Sequence, residues 1–419
     1  MSDNPRICID ARLTPGFSGG VEQVVIGLAQ GLSTLTDGNE SYYFLAYPDA
    51  DEWLLPYLQN SCQVLYTHRT WQQTLRRTIS ARAPMARKVL ERAASLAGDK
   101  AINVTRSDGT IEKSGIDLMH FTLQPAFLTD VPSIYHPHDL QHIHLPEYFS
   151  RYEREARTFV YKRFSDQARI VAVSSSWVRR DLVTNLGIPI DKIAVVPLAP
   201  ATAAYTTPTL DDQERVRAKF GLPDTFAFYP AQTWPHKNHV GLIEAAARLR
   251  DRDALHIPLI FSGRLTEHHQ VLQKRVEELG MTDEVRFLGF TTPIELQCLY
   301  RLCRCVVIPT KFEAASFPLW EAFLASAPTA CSNITSLPKQ AGDAALIFEP
   351  ADPEDIACKL RELWTDDELR RSLSERGTDN VQHFTWQKTA LHFRAHYRRI
   401  LGLKLSSDDK AILHSQPVI

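Results

Sequence analysis

Two carboxylates stand with seven residues between them in Lys311-Phe312-Glu313-Ala314-Ala315-Ser316-Phe317-Pro318-Leu319-Trp320-Glu321-Ala322. The run just before, Cys305-Val306-Val307-Ile308, is short and apolar and reads as a buried parallel strand, ended by Pro309 and Thr310. Ser316 suits a helix N-cap and Pro318 suits the first helical turn, so a helix is expected through Trp320, Ala322, Phe323 and Leu324. Glu313 then lies in the loop and Glu321 just inside the helix. A helix N-terminus presents unpaired N–H groups and about half a positive charge, which suits an anion such as a diphosphate. Glu321 is placed to accept bonds from vicinal sugar hydroxyls, with Glu313 on the far side of the phosphates. A ligand with hydroxyls at both ends and phosphate between them has the pattern of a nucleotide-diphosphate sugar. An ordinary helix with two solvated glutamates is the simpler alternative for this stretch alone.

Other segments offer related chemistry. The turn Pro230-Ala231-Gln232-Thr233-Trp234-Pro235-His236-Lys237-Asn238 sets Lys237 just before a helix, where a lysine and the helix terminus together meet phosphate oxygens. Gly19 and Gly20 precede a helix through Val24, Val25, Leu28, Ala29 and Leu32, and without a Cβ they let the backbone approach a ligand. His136-Pro137-His138-Asp139-Leu140-Gln141-His142-Ile143-His144 holds four histidines in nine residues. It lacks a helical i, i+4 pair with a glutamate base, and Pro137 and Pro146 keep it out of regular helix, so no metal is expected there.

The elements that position these residues alternate strand and helix, which implies doubly wound parallel sheets. Strands are expected at 6–10, 42–46, 117–121, 133–136, 169–173 and 193–197. Residues 199–208 are small, polar and free of periodicity, and read as a hinge. Strands resume at 226–229, 259–262, 285–287, 305–308, 329–331 and 345–348. Helices follow from Asp352, a last one starts near Trp386, and 406–419 reads as a polar tail. Ligands of such sheets bind beyond the carboxyl ends of the strands.

The glutamate pair at the start of a helix after a buried strand resembles the signature of the retaining family-4 glycosyltransferases of the GT-B fold. That family usually has a Gly-Leu-Pro-like tract between the glutamates; here Ser316-Phe317-Pro318-Leu319 keeps the proline and leucine and lacks the glycine. The resemblance extends to Gly19-Gly20-Val21-Glu22, to His138-Asp139, to Lys237-Asn238 and to the Phe384-Thr385-Trp386 start of the helix that returns to the N-terminal domain. It implies two Rossmann-like domains facing each other across a cleft. Residues 1–200, with a returning helix at about 386–402, form the acceptor side, and 209–385 form the nucleotide-sugar side. It implies that Glu313 contacts the donor sugar and Glu321 the ribose, that Ser316 and Phe317 offer backbone N–H groups to the diphosphate, and that Gly19 and Gly20 face it. His138 is the expected active-site histidine, with His136 as the fallback. Many members carry an arginine six residues before the lysine; Ala231 stands there, and Arg264, after Ser262-Gly263, is the candidate replacement.

The activity implied is transfer of a hexose, with a mannose- or rhamnose-like donor, to a hydroxyl of a glycan or lipid-linked acceptor in cell-surface polysaccharide synthesis. Lys237 and the helix terminus would stabilise the leaving group without a metal or other cofactor. A related GT-B enzyme, such as a sugar-nucleotide epimerase or a phosphorylase, and a non-catalytic nucleotide-sugar-binding protein share these features. A net charge of -2 gives no reason to expect nucleic acid. Seven scattered cysteines, no basic-then-apolar leader after Met1 and no long apolar run lead us to expect a cytoplasmic protein with reduced thiols. Residues 68–92 carry seven basic residues against Glu91 and read as two amphipathic basic helices broken at Pro84. They are candidates for docking on an anionic membrane surface, or for packing on their own domain.

Overall fold

The computed structural model describes residues 4–14, 19–69, 102, 104–201, 205–416 and 419. Of the expected basic helices at 68–92, all but His68 and Arg69 lie outside these residues. The chain forms two compact units, one of residues 1–173, 179–196 and 387–416, the other of 174–178, 197–386 and 417–419.

The first unit is built on β1 (Arg6–Asp10), β2 (Ser41–Ala46), β3 (Cys62–Tyr66), β4 (Leu118–Phe121), β5 (Ser133–Tyr135), β6 (Ile170–Val173) and β7 (Ile193–Val195). All pair in parallel, in the order β3-β2-β1-β4-β5-β6-β7. The central strands are apolar runs because helices cover both faces, and β4, β5 and β6 are buried throughout. The order reverses between β1 and β4, so their carboxyl ends open a crevice there. β3 escapes a reading of the sequence because it is an edge strand, mostly part-exposed, with no continuous apolar run to mark it.

The helix Trp386–Ile400 runs into this unit and lays Phe393 and Tyr397 against His120 of β4, with ring centroids 4.6 and 5.7 Å apart. Residues 406–416 are not the expected polar tail. Ser406 caps a helix, Ser407–His414, in a reciprocal capping box with Asp409. Asp409 is buried and accepts from Arg398 at 2.9 Å, while Arg398 also donates to Glu40 at 2.5 Å. A segment polar in composition is thus ordered by one guanidinium shared between two buried carboxylates.

The second unit carries β8 (Ala227–Pro230), β9 (Leu259–Ser262), β10 (Val285–Phe287), β11 (Cys305–Ile308), β12 (Thr329–Ser332) and β13 (Ala345–Phe348). They too are all parallel, in the order β10-β9-β8-β11-β12-β13. Phe226, Phe228, Phe261, Trp320 and Phe323 fill its core. The order reverses between β8 and β11, which places a second crevice beyond Pro230 and Ile308. Among the described residues no helix is long and apolar enough to cross a membrane.

Candidate functional site

The loops leaving β8 and β11 are fastened to each other. After β8 the chain makes a short 3-10 turn, Pro235–Lys237, and passes through Asn238 in the left-handed conformation (φ 57°) into the helix His239–Asp253. Asparagine tolerates that backbone better than most residues. Its buried side-chain amide donates to the carbonyls of Pro309 and Pro350, both at 2.9 Å. The Lys311 N–H donates to the His236 carbonyl at 2.7 Å. This seam brings the Lys237 ammonium onto the Glu313 carboxylate as an ion pair whose side chains are 20% and 18% exposed. His236 beside it stays uncharged: burial first, then the Lys237 charge, pushes its imidazole down to about 3. His236 therefore adds no charge to this corner.

Beyond Glu313, the helix Phe317–Leu324 begins where the sequence places it, with the Ser316 side chain accepting from the Leu319 N–H. The Ser316 amide, however, is not open to a diphosphate as expected. Its N–H donates to Gln340 Oε1 at 2.9 Å, and the Gln340 amide returns a bond to the Ser316 carbonyl at 2.7 Å. Phe317 occupies the first helical position, whose N–H has no acceptor within the helix. The carbonyls of Glu313 and Ala314 are held by Ser336, at 3.3 and 2.6 Å, and that of Glu313 also by Thr335. Thr335 itself sits at φ 51°, a left-handed conformation unusual for a β-branched residue. The loop between the two glutamates is thus gripped at three positions, 313, 314 and 316, by the segment that follows β12.

Glu321 is 5% exposed. Its Oε2 accepts from Tyr300 at 2.8 Å and its Oε1 from Tyr205 at 2.9 Å. Burial raises its carboxyl above the usual range, and the two tyrosine bonds oppose that rise. Arg264 is exposed, in the turn after β9. Its carbonyl accepts from the Thr233 N–H at 3.1 Å, so it borders the turn that carries Lys237. Gly263 makes that approach possible: at φ +127°, a Cβ there would stand 2.6 Å from the backbone of Ala231. Ala231 and Arg264, linked in the sequence as a loss and its replacement, are therefore neighbours in backbone.

In the first unit, Gly19 is the N-cap of the helix Gly20–Ser33 at φ 53°, and both glycines are exposed. The candidate histidines gather at the ends of β4 and β5. His138, at φ 64°, has Nε2 2.7 Å from the Thr122 carbonyl. A carbonyl only accepts, so Nε2 holds the proton and Nδ1 is left as an acceptor. His136 Nε2 lies 2.8 Å from His120 Nε2, and His120 Nδ1 2.6 Å from the Tyr397 hydroxyl. Burial lowers the pKa of all three imidazoles. The segment after Asp139 does form one helical turn, Gln141–His144, despite the prolines on either side of it. Among the described residues no three of His, Cys, Asp and Glu come together as ligands of a metal ion.

The family description "Glycosyltransferase Family 4" matches residues 18–199, and "Glycosyl transferases group 1" matches residues 212–380. The chain belongs to the family-4 glycosyltransferases. It is 28% identical over 251 residues to the O-antigen chain mannosyltransferase B of Escherichia coli, covering 60% of this chain and 66% of that one. It is 27% identical over 261 residues to the D-inositol 3-phosphate glycosyltransferase of Corynebacterium aurimucosum, covering 60% and 62%. The matched region thus spans somewhat under two thirds of the length of these two relatives. The structure of Anabaena Alr3699/HepE in complex with UDP and glucose superposes over 94% of this chain and 100% of that one, with a TM-score of 0.68 and 17% identity. That likeness shows the GT-B fold.

The sequence nominates Glu313, Lys237, Glu321 and His138, of which the first two meet in the structure. It did not reveal Tyr300, Tyr205 or Gln340. Tyr205 had a faint signal, as the lone aromatic in a stretch of small residues; Gln340 had none, because its partner is a backbone amide twenty-four residues away.

Proposed function

We propose that this protein is a retaining hexosyltransferase that moves a mannose-like sugar from a nucleotide-diphosphate donor to a hydroxyl of a glycan or lipid-linked acceptor in cell-surface polysaccharide synthesis. The observation that carries the reading is the Lys237–Glu313 ion pair at the β8/β11 crevice, beside the N-terminus of the helix Phe317–Leu324. The donor's reacting carbon–oxygen bond breaks, and charge collects on the departing phosphate. An ammonium has three donors and Glu313 uses one, so Lys237 retains donors for phosphate oxygens while Glu313 keeps it from swinging away. The Phe317 N–H and the helix terminus add fixed positive potential, which needs no reorganisation as charge develops. In this reading Glu313 serves the donor sugar and Glu321 the ribose, and the family resemblance assigns His138 the role of contacting the sugar near its reacting carbon. The acceptor hydroxyl takes the place of the phosphate on the same face, and its proton leaves with the departing phosphate oxygen. The name of the E. coli relative supports mannose and O-antigen chemistry.

The test is nucleoside-diphosphate release from GDP-mannose, UDP-glucose and dTDP-rhamnose, with and without a mannose-terminated lipid-linked acceptor, followed by NMR of the product's anomeric proton. Acceptor-dependent release with retained configuration is expected. Donor consumption that needs no acceptor and yields an epimer, or binding without turnover across the panel, would contradict it.

A further inference from the structure

The carboxylate of Glu321 is held in a way that no feature of the helix requires. Tyr300 comes from the helix Pro293–Leu302 and is 1% exposed; Tyr205 is half-buried and lies ahead of the helix Leu210–Phe220. Both precede Glu321, by 116 and 21 residues for Tyr205 and Tyr300, and each takes a different oxygen of the same carboxylate, Tyr300 at 2.8 Å and Tyr205 at 2.9 Å. The Tyr300 hydroxyl has one proton, and the Pro318 carbonyl at 3.3 Å, in the first turn of the Glu321 helix, shares it as the longer acceptor.

An ionised carboxylate offers about four lone-pair positions, two on each oxygen. The tyrosines fill one on each and leave one on each. The remaining pair is a two-pronged acceptor, which is what a vicinal diol needs. A carboxylate so deeply buried would otherwise take up a proton or turn to find partners. A protonated carboxyl would accept less well and could not serve both hydroxyls alike.

We propose that Tyr205 and Tyr300 are positioning residues for ribose recognition: they orient the Glu321 carboxylate so that one lone pair on each oxygen is free for the 2′,3′ diol of the nucleotide. This rests on the reading of Glu321 as the ribose-binding residue. It makes discrimination between ribose and 2′-deoxyribose depend on two side chains that need not touch the ligand. A site built to bond a hydroxyl rejects the analogue lacking it, because its own polar atom is left unpaired.

The experiment is calorimetric titration of the full chain with UDP, GDP and ADP, and with the 2′-deoxy form of whichever binds. It is run on the wild type, Tyr205→Phe, Tyr300→Phe and Glu321→Gln, with circular dichroism to confirm folding. The wild type should prefer the ribose form by about tenfold or more. Each tyrosine variant should lose about threefold to tenfold on the ribose form, with the deoxy form nearly unmoved. A purely structural role would weaken both forms equally, and that result overturns the proposal. So does an unchanged ratio, a wild-type ratio near one, or tighter binding by Tyr205→Phe, which would make it an obstruction. Tyr205→Phe, at the half-buried position, carries the test if Tyr300→Phe does not fold. Glu321→Gln separates the two levels. If it keeps the wild-type ratio, or if no nucleotide binds the wild type, the reading of Glu321 itself falls and the proposal with it.

Discussion

Mild acid should destabilise this protein before most of its carboxylates titrate, and His120 offers a place to measure why. The residue is fully buried on β4, and burial holds its imidazole uncharged, pushed down to about 3. His396 on the returning helix, 7% exposed, is pushed down to about 3 by burial, with help from the Arg399 charge. In the unfolded chain each imidazole returns to an ordinary value of about 6.5. Between about 6.5 and about 3, the unfolded state binds a proton that the folded state refuses. Stability is therefore intact above this window and falls as pH drops through it. The slope approaches about 1.4 kcal/mol per pH unit for each such histidine, so going from pH 7 to pH 5 removes about 2 kcal/mol through His120 alone. His120→Gln removes that titration. It also disturbs the bonds to Tyr397 and His136, which should cost about 1–3 kcal/mol at pH 7. The diagnostic is the slope and not the starting value: in urea titrations at pH 7, 6 and 5, the variant should lose about 2 kcal/mol less than the wild type over the range. Parallel pH dependences would refute the argument, since they would mean that His120 is protonated equally in both states.

Three further expectations follow from contacts in the two units. Gly263→Ala forces a Cβ to within 2.6 Å of the Ala231 backbone at a φ of +127°, so it should destabilise the second unit by about 3 kcal/mol and weaken nucleotide binding through the Lys237 turn; an unchanged melting temperature would contradict this. Asp409→Ala removes a buried partner of Arg398 and the capping box of the last helix, and should cost about 2–3 kcal/mol in chemical denaturation; a loss within error of zero would mean that the helix Ser407–His414 adds nothing. Since Lys237 and the helix terminus stabilise the leaving group in this account, transfer should continue at the same rate after dialysis against EDTA, and a rate restored only by added divalent ions would contradict that assignment.

Much of this was written in the order of residues, and the reasons are physical. Short apolar runs such as Cys305–Ile308 and Ile170–Val173 are buried on both faces, so burial alone marks them as strands. Ser316 and Pro318 announce a helix start because capping is chemistry local to four residues. What stayed hidden depends on partners far away in sequence. Residues 406–416 read as a polar tail because nothing near them says that Asp409 meets Arg398 and that Arg398 also meets Glu40. The Ser316 amide read as open because Gln340 gives no local sign that it returns to that loop. Glu321 read as a helix glutamate facing sugar hydroxyls, and only the fold brings two tyrosines onto its oxygens.

The most direct test of the central claim is a thermal-shift titration of the wild type and Lys237→Ala with GDP, UDP, ADP, dTDP and the matching monophosphates. A ligand that binds only the folded state raises the melting temperature by mass action, by about 2.7 kcal/mol of stability at a hundredfold excess over Kd. The account predicts that one diphosphate stabilises the wild type, that its monophosphate does so less, and that Lys237→Ala loses the difference between them. No stabilisation by any diphosphate, or an equal shift in Lys237→Ala, would contradict the assignment of the β8/β11 crevice as the nucleotide-sugar site.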